Sequence, residues 1–393
     1  MIALPNELLG GILRRAWADR PRRPAAEELC AAAGLASVCR RMRALLRERP
    51  LPLALDFSAA PLSTAQRRWL LDPAQAGRVE AAHFHVASEA DAGALWEQPV
   101  LASLLALHGR TLQHMSGVPL HLVARTIEEE RPALDLSALR LTTLGLDCYA
   151  VRLCVIHADF KYFWPERLPG TLQELHLLGL EGSGLGYLAW ALHSRAALAG
   201  RLPRLRTVRV TGAANGEMLN VWRTSLLEAF TSLPRLEVDG TGLDVSVDIG
   251  LFKQVGSVRI QAGGRLGVCA DEWEGEAVLV DCLCRAGLQA AELGAEDGVG
   301  PRHSDGPLLH KIVRDMISRH GDCFAVDVGV AEQLYDDHGD WDQSVIIRRL
   351  AWRRWPAPGA PDLQAARAAH ERARAWAVGA EQWAFGAGAT RAR

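Results

Sequence analysis

A chain of 393 residues with 46 acidic side chains, 44 basic ones and 49% apolar residues can bury a sizeable core, and has no charge excess to draw it onto a polyanion or an anionic membrane. No apolar run reaches the roughly eighteen residues of a bilayer span, and Met1 to Gly11 lacks the charged start and apolar core of a secretory leader. Of eight cysteines only Cys282 and Cys284 stand close together, with no second pair at zinc-site spacing, so the sequence predicts reduced structural thiols and a cytoplasmic or nuclear setting.

Taken in chain order, Pro5 fits a first helical position and Glu7 suits the positive end of a helix dipole. Leu8, Leu9, Ile12, Leu13, Ala16 and Trp17 then recur at the spacing that gathers apolar side chains on one helical face. Glu27 to Ala33 reads as a middle helix ending at Gly34. Leu35, Val38, Cys39, Met42, Leu45 and Leu46 form another apolar stripe among arginines, stopped by Pro50. The elements Leu4-Pro5-x-Glu7-Leu8-Leu9-x-x-Ile12-Leu13 and Leu35-x-x-Val38-Cys39-Arg40-x-Met42-x-x-Leu45 resemble the F-box family. That resemblance implies docking on a Skp-type adaptor through Leu4, Pro5, Leu8, Ile12, Leu35, Val38 and Met42, and so entry into a cullin-RING ubiquitin ligase. The rest of the chain would then choose the target.

Further on, an apolar-x-x-apolar-x-apolar motif recurs. Its copies begin at Val79, Leu112, Leu141, Leu172, Leu205, Leu233 and Val255, separated by 33, 29, 31, 33, 28 and 22 positions. Alternation within the motif predicts half-buried strands. Helices are expected between them over Ala92 to Leu107, Leu120 to Glu130, Leu185 to Ala199 and Gly216 to Phe230. The last would place Met218, Leu219, Trp222 and Leu226 on one side. Strand and helix alternating about every thirty residues, and above all the stretches LPGTLQELHLLGL, LPRLRTVRVTG and LPRLEVDGTGL, resemble the leucine-rich-repeat family, which implies an α/β horseshoe with a parallel inner sheet. The family's turn asparagine is missing at Tyr149, Leu180, Ala213 and Thr241, and Gly117 stands where an apolar residue belongs.

Beyond Val268 the period fades. Strands are expected at Val278 to Cys282 and Cys323 to Val330, with a helix over Leu308 to Arg319 and a surface loop over Ala291 to Gly306. Arg348 to Trp355 reads as one helix with its tryptophans buried. A linker at PAPGAP leads to a helix over Leu363 to Trp383, and Gly386 to Arg393 is expected to fray. The chain thus divides into a helical module (1–50), a repeat domain (51–268), its continuation or cap (269–355) and a linker with a helical tail (356–393).

No nucleophile elbow, phosphate loop or paired zinc half-sites occur. Gly182-Ser183-Gly184-Leu185-Gly186 reads as a turn, and Asp336 to Asp342 as a charged loop lacking the calcium-loop pattern. His83, His85, His114 and His176 could converge on a metal, but no ligand spacing completes such a site, and a solvated sheet face is the expectation. The sequence therefore predicts a binding protein, neither enzyme nor metalloprotein, with no cofactor. With the motif's apolar residues inward, one outward row is Ala81, His114, Thr143, Glu174, Thr207, Arg235 and Ser257. A second is His83, Ser116, Gly145, His176, Arg209, Glu237 and Arg259, and a third His85, Val118, Asp147, Leu178, Thr211, Asp239 and Gln261. Both charge signs suit a protein target better than a nucleic acid, with His83, His85, His114, Glu174, His176, Arg209, Arg235, Glu237 and Arg259 as its contacts. A repeat scaffold without a ligase connection is the alternative.

Overall fold

The structure, a computed structural model, describes residues 5–20, 23–48, 51–57, 77–84, 105–119, 134–147, 168–180, 202–212, 218–221, 233–248, 255–269, 280–301 save 282 and 286, 309–334 and 344–389, with isolated positions 64, 65, 68 and 123. The chain divides into two compact units, Met1–Leu178 with Gly200–Leu205, and Gly179–Ala199 with Arg206–Arg393.

The first unit begins with α1 (Asn6–Ala18), α2 (Ala25–Ser37) and α3 (Arg40–Glu48). Pro5 stands at the cap of α1, where its carbonyl accepts from the Leu9 N–H at 3.0 Å. Pro24 plays the same part for α2 with Glu28, also at 3.0 Å. Gly34 does not end α2: the helix runs on to Ser37, whose hydroxyl donates to the Gly34 carbonyl at 2.7 Å. Leu35 therefore belongs to α2, and the stripe expected to be one helix is broken at Val38 and Cys39. Inside the module Trp17, Leu29, Ala32, Leu45 and Leu46 are buried, and the Trp17 indole N–H donates to Glu28 Oε1 at 2.8 Å.

Five parallel strands follow: β1 (Leu51–Asp56), β2 (Gly77–His83), β3 (His114–Pro119), β4 (Thr143–Asp147) and β5 (Glu174–Leu180), paired in that order. The motif's apolar residues face inward: Val79, Ala82, Leu112, Leu141, Leu144, Leu146, Leu172 and Leu177 are fully buried. β1 precedes the first motif and was not expected, although Leu51, Leu53 and Leu55 alternate as inward residues should. One residue ahead of the motif, threonine hydroxyls reach the preceding repeat: Thr111 donates to the Val79 carbonyl at 2.8 Å and Thr171 to that of Leu141 at 2.7 Å. Of the helices expected here, residues 105–108 and 123 are helical, and the rest of those two spans, the Leu185 to Ala199 helix and the glycine turn at 182–186 lie outside the described residues.

Gly117 has a cause. β3 places two residues, Ser116 and Gly117, opposite the single Gly145 of β4, a β-bulge, and Gly117 takes φ +71°. The extra residue shifts register by one, so Val118 pairs with Leu146 and is fully buried. The third outward row is corrected there: Pro119, not Val118, pairs with Asp147.

The second unit carries two parallel ladders. β6 (Thr207–Gly212), β8 (Leu233–Gly240), β10 (Val255–Ala262) and β12 (Ala290–Pro301) make one, and β7 (Met218–Val221), β9 (Asp244–Asp248) and β11 (Leu266–Cys269) the other, which β12 joins through Val299 to Pro301. Met218 to Val221 is thus a strand, not the start of a helix, since pairing with Asp244 to Val247 overrides the helical spacing. The expected loop over Ala291 to Gly306 is strand β12 as far as Pro301, with Gly294 and Gly298 at an irregularity between Gly294 and Val299, and 302–306 lie outside the described residues. Residues 280 and 281 are helical within the strand expected over Val278 to Cys282, whose other residues lie outside the described ones.

The C-terminal part adds α4 (Leu309–His320), β13 (Phe324–Leu334), β14 (Ser344–Arg354) and α5 (Leu363–Ala389). α4, β13 and α5 match their expected positions, although α5 continues through Gly386 instead of fraying there. Arg348 to Arg354 is strand, not helix: period-two alternation buries Leu350 and Trp352 and exposes Arg349 and Arg353. β14 lies antiparallel between β12 and β13, locked by the Trp352 indole N–H donating to the Leu283 carbonyl at 2.6 Å. The whole is a mixed α/β chain dominated by parallel strands. No described helix is long and apolar enough to cross a membrane.

Candidate functional site

The residues singled out by sequence fall on the helical module and on the strands. On the module, Leu8 and Ile12 lie one turn apart on α1 and are 58% and 55% exposed, while Val38, at the joint before α3, is 67% exposed. Pro5 is exposed, and Leu35 and Met42 are half-buried. Leu4 lies outside the described residues. The Arg41 guanidinium donates to Asn6 Oδ1 through Nε at 3.0 Å and Nη2 at 2.9 Å, tying the start of α3 to that of α1 beside these apolar side chains. Beneath them, burial raises the Glu28 carboxyl above its ordinary range, against the lowering effect of the Trp17 bond. Arg20 stacks over the Trp17 ring at 4.4 Å.

The outward rows of the strands, taken unit by unit, hold the rest. In the first unit Ala81, His114, Thr143 and Glu174 lie in register, as expected. Their histidines do not gather. His83 Nδ1 contacts Ser116 Oγ at 2.6 Å, His176 sits 3.5 Å from Glu174, His114 is exposed on the neighbouring row, and His85 lies outside the described residues. Among the described residues no three His, Cys, Asp or Glu side chains cluster as a metal site.

In the second unit Thr207, Arg235 and Ser257 share one row, and Arg209, Glu237 and Arg259 the next. The structure extends both. Ser257 pairs with Ala290, Ala290 with Arg353, and Arg353 with Ala325; Arg259 pairs with Glu292, Glu292 with Ala351, and Ala351 with Asp327. Glu237 binds Arg209 at 2.7 Å and Arg235 at 2.5 Å. Arg349 binds Glu292 at 2.9 Å and Asp327 at 3.0 Å, and these bonds, that to Glu292 foremost, hold its guanidinium above the usual range. Arg353 binds Asp362 at 2.6 Å. Sequence reasoning missed Glu292, Asp327, Arg349, Arg353 and Arg372, which lie on segments read as loop, strand, helix and helical tail; the alternation of Arg349, Ala351 and Arg353 against Leu350 and Trp352 was the available signal.

The described thiols are Cys30, Cys39 and Cys323, all exposed, and buried Cys284, which burial foremost pushes up to about 12. Such a thiol is inert as a nucleophile at neutral pH. Cys282 lies outside the described residues. No protein-family model, no curated protein and no solved structure matches the chain.

Proposed function

We propose that this chain is the substrate-recognition subunit of a cullin-RING ubiquitin ligase, docking on a Skp-type adaptor through α1 to α3 and holding a target protein on the outward rows of a leucine-rich-repeat-like sheet. One observation carries the adaptor half. Large apolar side chains are exposed at only five described positions, and three of them, Leu8, Ile12 and Val38, are residues where the F-box resemblance places adaptor contacts. Exposed side chains of this size suit a partner surface better than a solvated cap. The chain contributes proximity: holding a target beside a conjugating enzyme raises effective concentration without a chemical group of its own. That role belongs in the cytoplasm or nucleus.

The test is capture of a purified Skp-type adaptor by the full chain and by a Leu8→Ala, Ile12→Ala, Val38→Ala variant. Covering three such side chains is worth ~3 kcal/mol, so the variant should bind about a hundredfold more weakly. Its circular dichroism should match the parent's, because the truncated atoms are exposed in the free chain. Absence of micromolar binding by the parent, or equal capture by both, overturns the adaptor half and leaves a protein-binding scaffold.

A further inference from the structure

β14, placed between β12 and β13, turns the outward face of the second unit into a trough. Its floor is made of small side chains, Ser257, Ala290 and Ala351, because the residues alternating with them, Val258, Ala291, Leu350 and Trp352, are used by the core. One end is walled by Arg235 and Arg259, the other by Ala365, Ala369 and Arg372, which the three-and-four spacing places on one face of α5. α5 is held there by a buried stripe, Ala366, His370, Ala373 and Ala377, and by the Val326 N–H donating to His370 Nδ1 at 3.2 Å.

Five arginines and two carboxylates line this trough. Arg349 takes both carboxylates in short bonds, and Arg235 and Arg353 have Glu237 and Asp362. Arg259 and Arg372 are held only loosely, 3.7 Å from Glu292 and 4.0 Å from Asp327, with side chains 61% and 70% exposed. Two guanidiniums at opposite ends of a small-residue floor are thus poised to exchange a weak internal contact for a carboxylate from outside, which a guanidinium binds as a planar, two-pronged partner.

We infer that the trough binds an extended acidic segment of a partner protein, its backbone over Ser257, Ala290 and Ala351 and its carboxylates on Arg259 and Arg372. A nucleic acid fits worse. The trough's tryptophan, Trp352, is 1% exposed and cannot stack on bases. The inference deepens the receptor reading by giving the chemistry of the target segment, and it rests on that reading only for biological purpose, since the trough can be probed without adaptor.

The probe is a fluorescein-labelled peptide alternating Glu and Ala, titrated into the full chain by fluorescence polarisation. Its Gln counterpart and a single-stranded DNA of equal charge serve as competitors. Arg259→Ala and Arg372→Ala should each weaken the acidic peptide about tenfold or more, and Ala351→Leu should abolish binding by filling the floor, while Arg140→Ala leaves it unchanged. The two arginine variants alter exposed side chains and decide the matter if Ala351→Leu does not fold. No binding by the parent, equal competition by the Gln peptide, or stronger competition by the DNA overturns the inference. Adaptor capture in the same preparations separates the two proposals: peptide binding without capture sinks the ligase reading alone, and capture without peptide binding sinks the trough alone.

Discussion

Replacing Gly117 with alanine tests whether the bulge in β3 is required. A Cβ built there would stand 1.9 Å from the Phe84 carbonyl oxygen, and the backbone is at φ +71°. The left-handed conformation alone costs an alanine roughly 1–2 kcal/mol. The clash forces β3 away from Phe84, whose N–H donates to the Ser116 carbonyl at 2.8 Å and whose ring stacks on Phe57 at 5.2 Å. Losing that bond and part of that stacking adds about 1–3 kcal/mol, for a total of about 2–5 kcal/mol. Gly242 supplies the control, with φ +79° but nothing within 4 Å of an added Cβ. Gly242→Ala should cost only the conformational part, about 1–2 kcal/mol. Urea unfolding followed by circular dichroism, each variant judged on the transition of its own unit at unchanged slope, gives both numbers. If Gly117→Ala costs no more than Gly242→Ala, the close approach of Phe84 is wrong, and with it the register that buries Val118.

Two further outcomes concern titratable groups. Burial raises the Glu28 carboxyl, so its folded value lies above its unfolded one and its contribution to stability fades as pH rises through the folded value. Glu28→Gln keeps an acceptor for the Trp17 indole and should be neutral or stabilising at pH 7, whereas Glu28→Leu orphans that N–H and should cost about 1–3 kcal/mol in urea unfolding. Burial foremost lowers His370 below its usual 6.5, Glu371 opposing the shift and Arg374 adding to it, and Nδ1 accepts from the Val326 N–H. The unfolded chain then takes up the proton first on acidification, so stability should fall as pH drops below about 6.5, and melting curves between pH 7.5 and pH 5 should lose that dependence in His370→Asn. A parent chain with a flat profile there would remove the His370 lock.

The repeated strands were legible because their signal is local: a residue that alternates into the core must be apolar wherever the strand ends up paired. Errors arose where pairing, not pattern, decides. Met218 to Val221 has helical spacing, yet β9 takes it as a strand, and the Gly-rich stretch from Ala291 on forms a strand because β10 and β14 flank it. Gly117 showed as a departure from the motif, but that it shifts register follows only from the count of residues on β4 opposite it.

The candidate surfaces divide along the same line. Leu8, Ile12 and Val38 could be marked from sequence because a short helical module cannot bury every apolar stripe it carries. Arg235, Glu237 and Arg259 could be marked because they sit between inward residues of a regular repeat. Arg349, Glu292, Asp327 and Arg372 could not, because their meeting depends on β14 inserting antiparallel between β12 and β13 and on α5 returning over β13, pairings spread across 57 residues between Glu292 and Arg349 alone. Arg349 claims both carboxylates only because that insertion sets it within 3.0 Å of each, and that claim is what leaves Arg259 and Arg372 loosely held. The chemistry of the trough is therefore a property of the strand order: the same arginines on the helix that the sequence suggested at Arg348 to Trp355 would have been solvated charges on a surface.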